Sequence, residues 1–186
     1  MFSHKVEVNC KKCFNNLNAN LHEWGNGDYE WDRAITRDYY LPVFDCGNPF
    51  PTNLISKDAL AAWYNREETC TDHCFSPQFM GRYVMDNAEP YLKDYEGKFK
   101  PLFRIALTTI QVTARENTLL RTLTKHRNGI FKIKEPSHMK YNHLGIQLYK
   151  KEDKENWDKA RPTTNILTEL VHLPEEFIEY EKKFLV

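Results

Sequence analysis

No long hydrophobic run occurs in the 186 residues. The most apolar stretches, such as Ala59-Leu-Ala-Ala-Trp-Tyr64, fall far short of the ~20 apolar residues that a membrane-spanning helix needs. The start, Met1-Phe-Ser-His-Lys-Val-Glu-Val, carries no apolar core of a secretory signal, so a cytoplasmic protein is expected. Internal repeats and low-complexity tracts are missing, and seven glycines are too few for a collagen-like chain. Five cysteines cannot all pair within one chain, which argues against a small disulfide-stapled scaffold. Net charge is also missing: 26 Lys and Arg balance 26 Asp and Glu. These absences argue against a helical membrane protein, a fibre and a secreted toxin, but they name no activity.

A globular composition is present, 41% hydrophobic and 28% charged. The length suits one domain. We read 1–186 as a single α+β domain: an N-terminal part to residue 66, a middle part at 67–128 and C-terminal strands and helix at 129–186. Lys5-Val-Glu-Val-Asn9 alternates as a short strand does. Residues 15–32 are rich in Asn, Gly and Asp and read as loop, and Tyr39–Phe44 reads as extended. Ser56 caps a helix to about Tyr64, and Ser76-Pro77 opens another that ends near Asn87. Glu68–Cys74 is extended, Phe99–Ala106 helical and Thr108–Thr113 a strand. Thr113 and Glu116 then form a capping box for a helix to about His126. Beyond lie a turn at Asn128-Gly129, strands at Ile130–Lys134 and Leu144–Tyr149, and a helix at Pro174–Phe184.

Zero net charge hides an asymmetry. Between Lys98 and Lys140 the only acids are Glu116 and Glu135, against ten basic residues, an excess of +8 that the rest of the chain cancels. Such segregation is expected of a face that binds a polyanion, or of a solvated basic surface. The candidate nucleic-acid contacts are Arg115, Arg121, Lys125, Arg127, Lys132 and Lys134, and no membrane partner is expected. The aromatics Trp24, Tyr29, Trp31, Tyr39 and Tyr40 suit stacking on bases or ordinary packing.

Cys10-Lys-Lys-Cys13 has the spacing of a zinc turn, and Cys70-x3-Cys74 is a looser second pair, with Cys46 to spare. These four cysteines are candidate ligands of a structural Zn²⁺; reduced, partly buried thiols are the alternative.

One constellation could carry chemistry. Asp72-His73 ends an extended segment; a strand follows at 108–113, then a helix with Asn117 and, nine residues further, His126. The order D-H, N, H, and the text Val112-Thr-Ala-Arg-Glu-Asn-Thr-Leu-Leu120, resemble the HNH (ββα-metal) endonucleases, phage homing enzymes among them. The resemblance covers roughly Cys70 to Asn128, and the gap from His73 to Asn117 is longer than in the compact motif. It implies a divalent-metal-dependent DNA endonuclease using Mg²⁺ or Mn²⁺, with His73 as general base, Asp72 as metal ligand, Asn117 shaping the site and His126 completing it. Asn87 is a rival ligand. The chemistry suits these residue types: a neutral His takes a proton from water near pH 7. A hard ion bound by carboxylate oxygen stabilises the leaving oxygen. A double-strand cutter of this size would act as a homodimer and a nickase as a monomer. The alternative function is a non-catalytic, zinc-stabilised nucleic-acid-binding accessory protein. On an ideal strand Cys70, Asp72 and Cys74 share one face and His73 takes the other.

Overall fold

The computed structural model describes residues 1–123, 139–151 and 172–185. The turn expected at Asn128-Gly129 and the strand expected at Ile130–Lys134 lie outside the described residues. The protein is α+β. Its described residues divide into two compact units that alternate along the chain: a helical unit, Met1–Pro49 with Phe75–Leu107, and a sheet unit built from 50–74, 108–123 and the described residues from 139 onward.

The helical unit opens with α1 (His4–Ala19), capped by the Ser3 side chain, which accepts from the Val6 amide. The strand expected at Lys5–Asn9 is therefore the first turns of a helix. Val6, Cys10, Cys13 and Leu17 are its buried residues, a helical spacing that outweighs the local alternation of Lys5-Val-Glu-Val. After a 3₁₀ turn at Leu21–Glu23, Asp28 caps α2 (Tyr29–Asp45), accepting from the amides of Glu30 and Trp31. The loop expected over 15–32 thus shrinks to a short link. Tyr39–Phe44 is the last part of α2 rather than extended, with Pro42 taken into the helix.

Phe75 and Ser76 lead into α4 (Pro77–Asp86), with Ser76 as N-cap and Pro77 in the first turn, as expected. Next come α5 (Ala88–Leu92), a π-helical turn at Tyr95–Phe99 and α6 (Lys100–Ala106). The core is aromatic: Tyr39, Phe99 and Phe103 are wholly buried, with ring centroids 5.8–6.3 Å apart. Helix α4 can lie close to α2 because Gly81 has no side chain; a Cβ there would sit 2.7 Å from Tyr39 Cβ.

Among the described residues, the sheet unit holds four strands in the order β2-β3-β1-β4. Strand β1 (Phe50–Ser56) runs parallel to β3 (Thr108–Val112) and antiparallel to β4 (Leu148–Lys150), while β2 (Cys70–His73) is antiparallel to β3. The register of β1 on β3 shifts between Pro51 and Ile55, where Asn53 takes a left-handed φ of 64°. Helix α3 (Lys57–Tyr64) follows β1 directly and α7 (Ala114–Thr122) follows β3. Both use the expected caps, Ser56 and the Thr113/Glu116 box. Helix α8 (Lys140–His143) precedes β4, and α9 (Glu175–Lys182) falls within the expected C-terminal helix. Among the described residues, no helix is long and apolar enough to cross a membrane.

Candidate functional site

The Asp72-His73 pair lies at the end of β2. The cross-strand partners are Cys70 with Val112, Asp72 with Ile110, and His73 with Thr109. Side chains alternate across a strand, so Cys70 and Asp72 lie on the face that carries the buried Val112 and Ile110, and His73 lies on the other face with Thr109. The strand continues its ladder one residue further, where the Cys74 amide donates to the Thr108 carbonyl.

The Asp72 face is covered by two helices of the same unit. Asn117 on α7 hydrogen-bonds the Cys70 sulfur. From α8, the Lys140 ammonium lies 2.6 Å from Asp72 Oδ2, and the Tyr141 hydroxyl donates to that oxygen at 2.5 Å. Lys140 also donates to the His73 carbonyl at 2.6 Å. Lys140 is 3% exposed, so it is an internal countercharge and adds nothing to a solvated basic face. Burial pushes the Tyr141 hydroxyl well above the ordinary phenol range, and the Asp72 charge adds to this. Burial likewise raises Cys70, against the lowering effect of its Asn117 bond, and pushes Cys74 up to about 12. These thiols are therefore protonated at neutral pH.

A second tie joins the starts of α3 and α7, which both lie at the carboxyl edge of the parallel β1–β3 pair. Glu116 Oε2 accepts from the Ser56 hydroxyl at 2.6 Å, from the Thr113 amide at 2.8 Å and from the Thr113 hydroxyl at 2.9 Å. Glu116 is 6% exposed, and one buried carboxylate serves the first turns of two helices, where backbone N–H groups favour negative charge.

The remaining expected residues are placed as follows. Asn87, in the helical unit, ends α4, and its side-chain amide donates to the Tyr83 carbonyl at 2.9 Å. Cys10 and Cys13, also in that unit, fill the buried face of α1 rather than a turn, and burial raises both thiols, Cys10 to about 12. Cys46 follows α2 and accepts a bond from the Asn9 side chain. Arg115 and Arg121 are exposed on α7. Lys125, His126, Arg127, Lys132 and Lys134 lie outside the described residues. Among the described residues, no three His, Cys, Asp or Glu side chains are grouped to hold a metal ion.

Sequence reasoning missed Lys140 and Tyr141 as partners of Asp72, because nearly seventy residues separate them and nothing local marks the pairing. It found Ser56 and Glu116 separately as capping residues; their meeting depends on the parallel pairing of β1 with β3. Comparison of the chain with known protein families, with curated proteins and with solved structures finds no match.

Proposed function

We propose that the chain is a DNA-binding protein built on an HNH-like strand–strand–helix unit, with phosphodiester hydrolysis at His73 as its activity. One observation carries this reading: β2 and β3 pair antiparallel and α7 follows β3 at once, so Asp72-His73 stands on the first strand of the unit and Asn117 on its helix. The exposed Arg115 and Arg121 on that helix support a polyanionic partner.

The donors around Asp72 do not suit a divalent ion. One oxygen of the carboxylate already faces a buried ammonium and a phenol hydroxyl, and a dication beside Lys140 would meet direct repulsion. The described donors therefore do not make an ion site by themselves. His73 supplies an imidazole, the type of side chain that serves as a general base.

A second reading, a non-catalytic nucleic-acid-binding accessory protein, is favoured by the same contact: Lys140 and Tyr141 hold Asp72 as a structural group. Elemental analysis of chelator-washed protein decides whether zinc belongs to this second reading.

The experiment incubates the full chain with a pool of long natural DNAs and Mg²⁺ or Mn²⁺, with and without EDTA. Cleavage is expected, and His73→Ala should retain DNA binding while losing roughly 10²–10⁴-fold in rate. Tight binding without cleavage would favour the accessory protein. Equal cleavage by His73→Ala would remove His73 from the chemistry, and absence of binding would end both readings.

A further inference from the structure

Asp72 is the carboxylate that the family resemblance assigns to a metal ion, and the structure sets an ammonium against it. Lys140 Nζ lies 2.6 Å from Asp72 Oδ2, 2.6 Å from the His73 carbonyl oxygen and 5.0 Å from the centre of the Tyr141 ring. We infer that Lys140 is the resident cation of this site: its ammonium takes the seat between Asp72 and His73 that a metal ion would otherwise take. This concerns what the site binds, goes beyond the nucleic-acid readings above, and holds whether or not the chain cuts DNA.

The partners of the ammonium are those of a hard cation. A carboxylate oxygen and a main-chain carbonyl oxygen are ligands that Ca²⁺ and Mg²⁺ take, and an ammonium donates to the same two groups. The face of an aromatic ring adds attraction for any positive charge. Both oxygens belong to consecutive residues at the end of β2. There Asp72 pairs with Ile110 and His73 with Thr109, and the Cys74 amide donates to the Thr108 carbonyl. The ladder to β3 fixes the backbone of both residues, so the seat belongs to the sheet and does not depend on α8 for its existence.

Burial and charge separate a resident cation from the other roles of a lysine. Lys140 is 3% exposed, so its ammonium does not reach a phosphate in solvent. The neighbouring thiols bring no charge, since burial keeps Cys70 and Cys74 protonated. One carboxylate therefore meets one ammonium, and the Tyr141 hydroxyl donates to the same carboxylate oxygen. A free dication would have to displace a cation that is tethered to the chain and thus present at high effective concentration. Without Lys140, the carboxylate would be left partly buried and uncompensated, a strong pull on any cation that fits.

The test gives Mn²⁺ to the full chain and to Lys140→Ala. Wild type is expected to take no ion at Asp72, so the backbone amide signals of Asp72 and His73 stay sharp in NMR spectra, where a bound paramagnetic ion would broaden them. Lys140→Ala should unfold at a lower temperature than wild type. Saturating Mn²⁺ should raise the midpoint of the variant by about 2 °C or more, a gain absent from wild type. Lys140→Ala combined with Asp72→Asn should lose that response, which ties the ion to the carboxylate. Lys140→Ser replaces Lys140→Ala if the latter does not fold. Broadening at Asp72 in wild type would overturn the inference. So would a variant that ignores Mn²⁺, or one that answers to ethylammonium and not to Mn²⁺, since the seat would then suit an ammonium alone. No nucleic acid takes part, so each of these results leaves the DNA readings to their own experiment.

Discussion

In the helical unit three wholly buried rings, Tyr39, Phe99 and Phe103, pack edge to face or stacked among aliphatic side chains such as Leu17, Val43 and Met80. In the sheet unit the apolar core around Ile55, Ala59, Leu60 and Tyr149 is joined by buried charged groups, Lys140 against Asp72 and Glu116 against Ser56 and Thr113. The contrast separates two ways of fixing a structure. Burial of the rings is driven by a non-directional effect and depends on volume, with ring geometry a smaller, local preference. A buried charge fixes one geometry, and its cost appears when a partner is removed.

The largest expected effect lies on the ring side. Phe99→Ala should cost about 3–5 kcal/mol of unfolding free energy, because the site is fully buried and a cavity remains. Chemical denaturation measures it. A loss under 1 kcal/mol would mean that the aromatic cluster is not the basis of the helical unit.

Next comes the ion pair. Lys140→Met should cost about 3 kcal/mol by leaving the half-buried Asp72 carboxylate without its countercharge. The double variant Lys140→Met with Asp72→Asn should recover part of that loss, since the uncompensated charge is gone. Additive losses would show that the two side chains act separately and would erase the contrast with the helical unit.

Third, Glu116→Ala should cost about 1–2 kcal/mol, the value of a lost cap together with hydroxyls left unpaired. Glu116→Gln should cost less, since it keeps an oxygen acceptor and loses the charge. If the two variants cost the same, the charge at the paired helix starts is irrelevant.

The smallest effect depends on pH. Glu7 lies below its ordinary value of 4.5, chiefly through its bond from Lys100, with one from Tyr95 added. A depressed carboxylate contributes stability that is complete above 4.5 and is lost as pH falls through its lower folded value. Glu7→Gln should therefore flatten the acid limb of the stability profile below that point and do little at neutral pH. Here a charged contact serves the helical unit, and its small size against Phe99→Ala sharpens the comparison.

Much of this was legible in the sequence where a local signal exists. Ser56, Ser76 and Thr113 announce helices α3, α4 and α7, because capping is chemistry within four residues. The β-branched run at 108–112 announces β3. The first helix was illegible as a strand-like alternation because Cys10 and Cys13 suggested metal ligands, when they act as small apolar residues between Val6 and Leu17. Strand β1 gave no signal: Phe50-Pro-Thr-Asn has the look of a turn, and pairing with β3 overrides it. At the candidate site, Asp72, His73 and Asn117 stood out by type and order, while Lys140 and Tyr141 are known only through long-range pairing.

The way the two units share the chain has a consequence for synthesis. The described residues of the helical unit, 1–49 and 75–107, have all been made once Leu107 is synthesised. The sheet needs β4, which ends at Lys150. At about 5–20 residues per second, the ribosome needs several seconds more to reach Lys150. Strand β3 follows Leu107 at once and can pair with β1 and β2, but the other edge of β1 stays unpaired until β4 has been made. Slow translation between residues 112 and 150 would prolong the exposure of that edge, and time on the ribosome becomes a determinant of yield that no contact in the finished fold reveals.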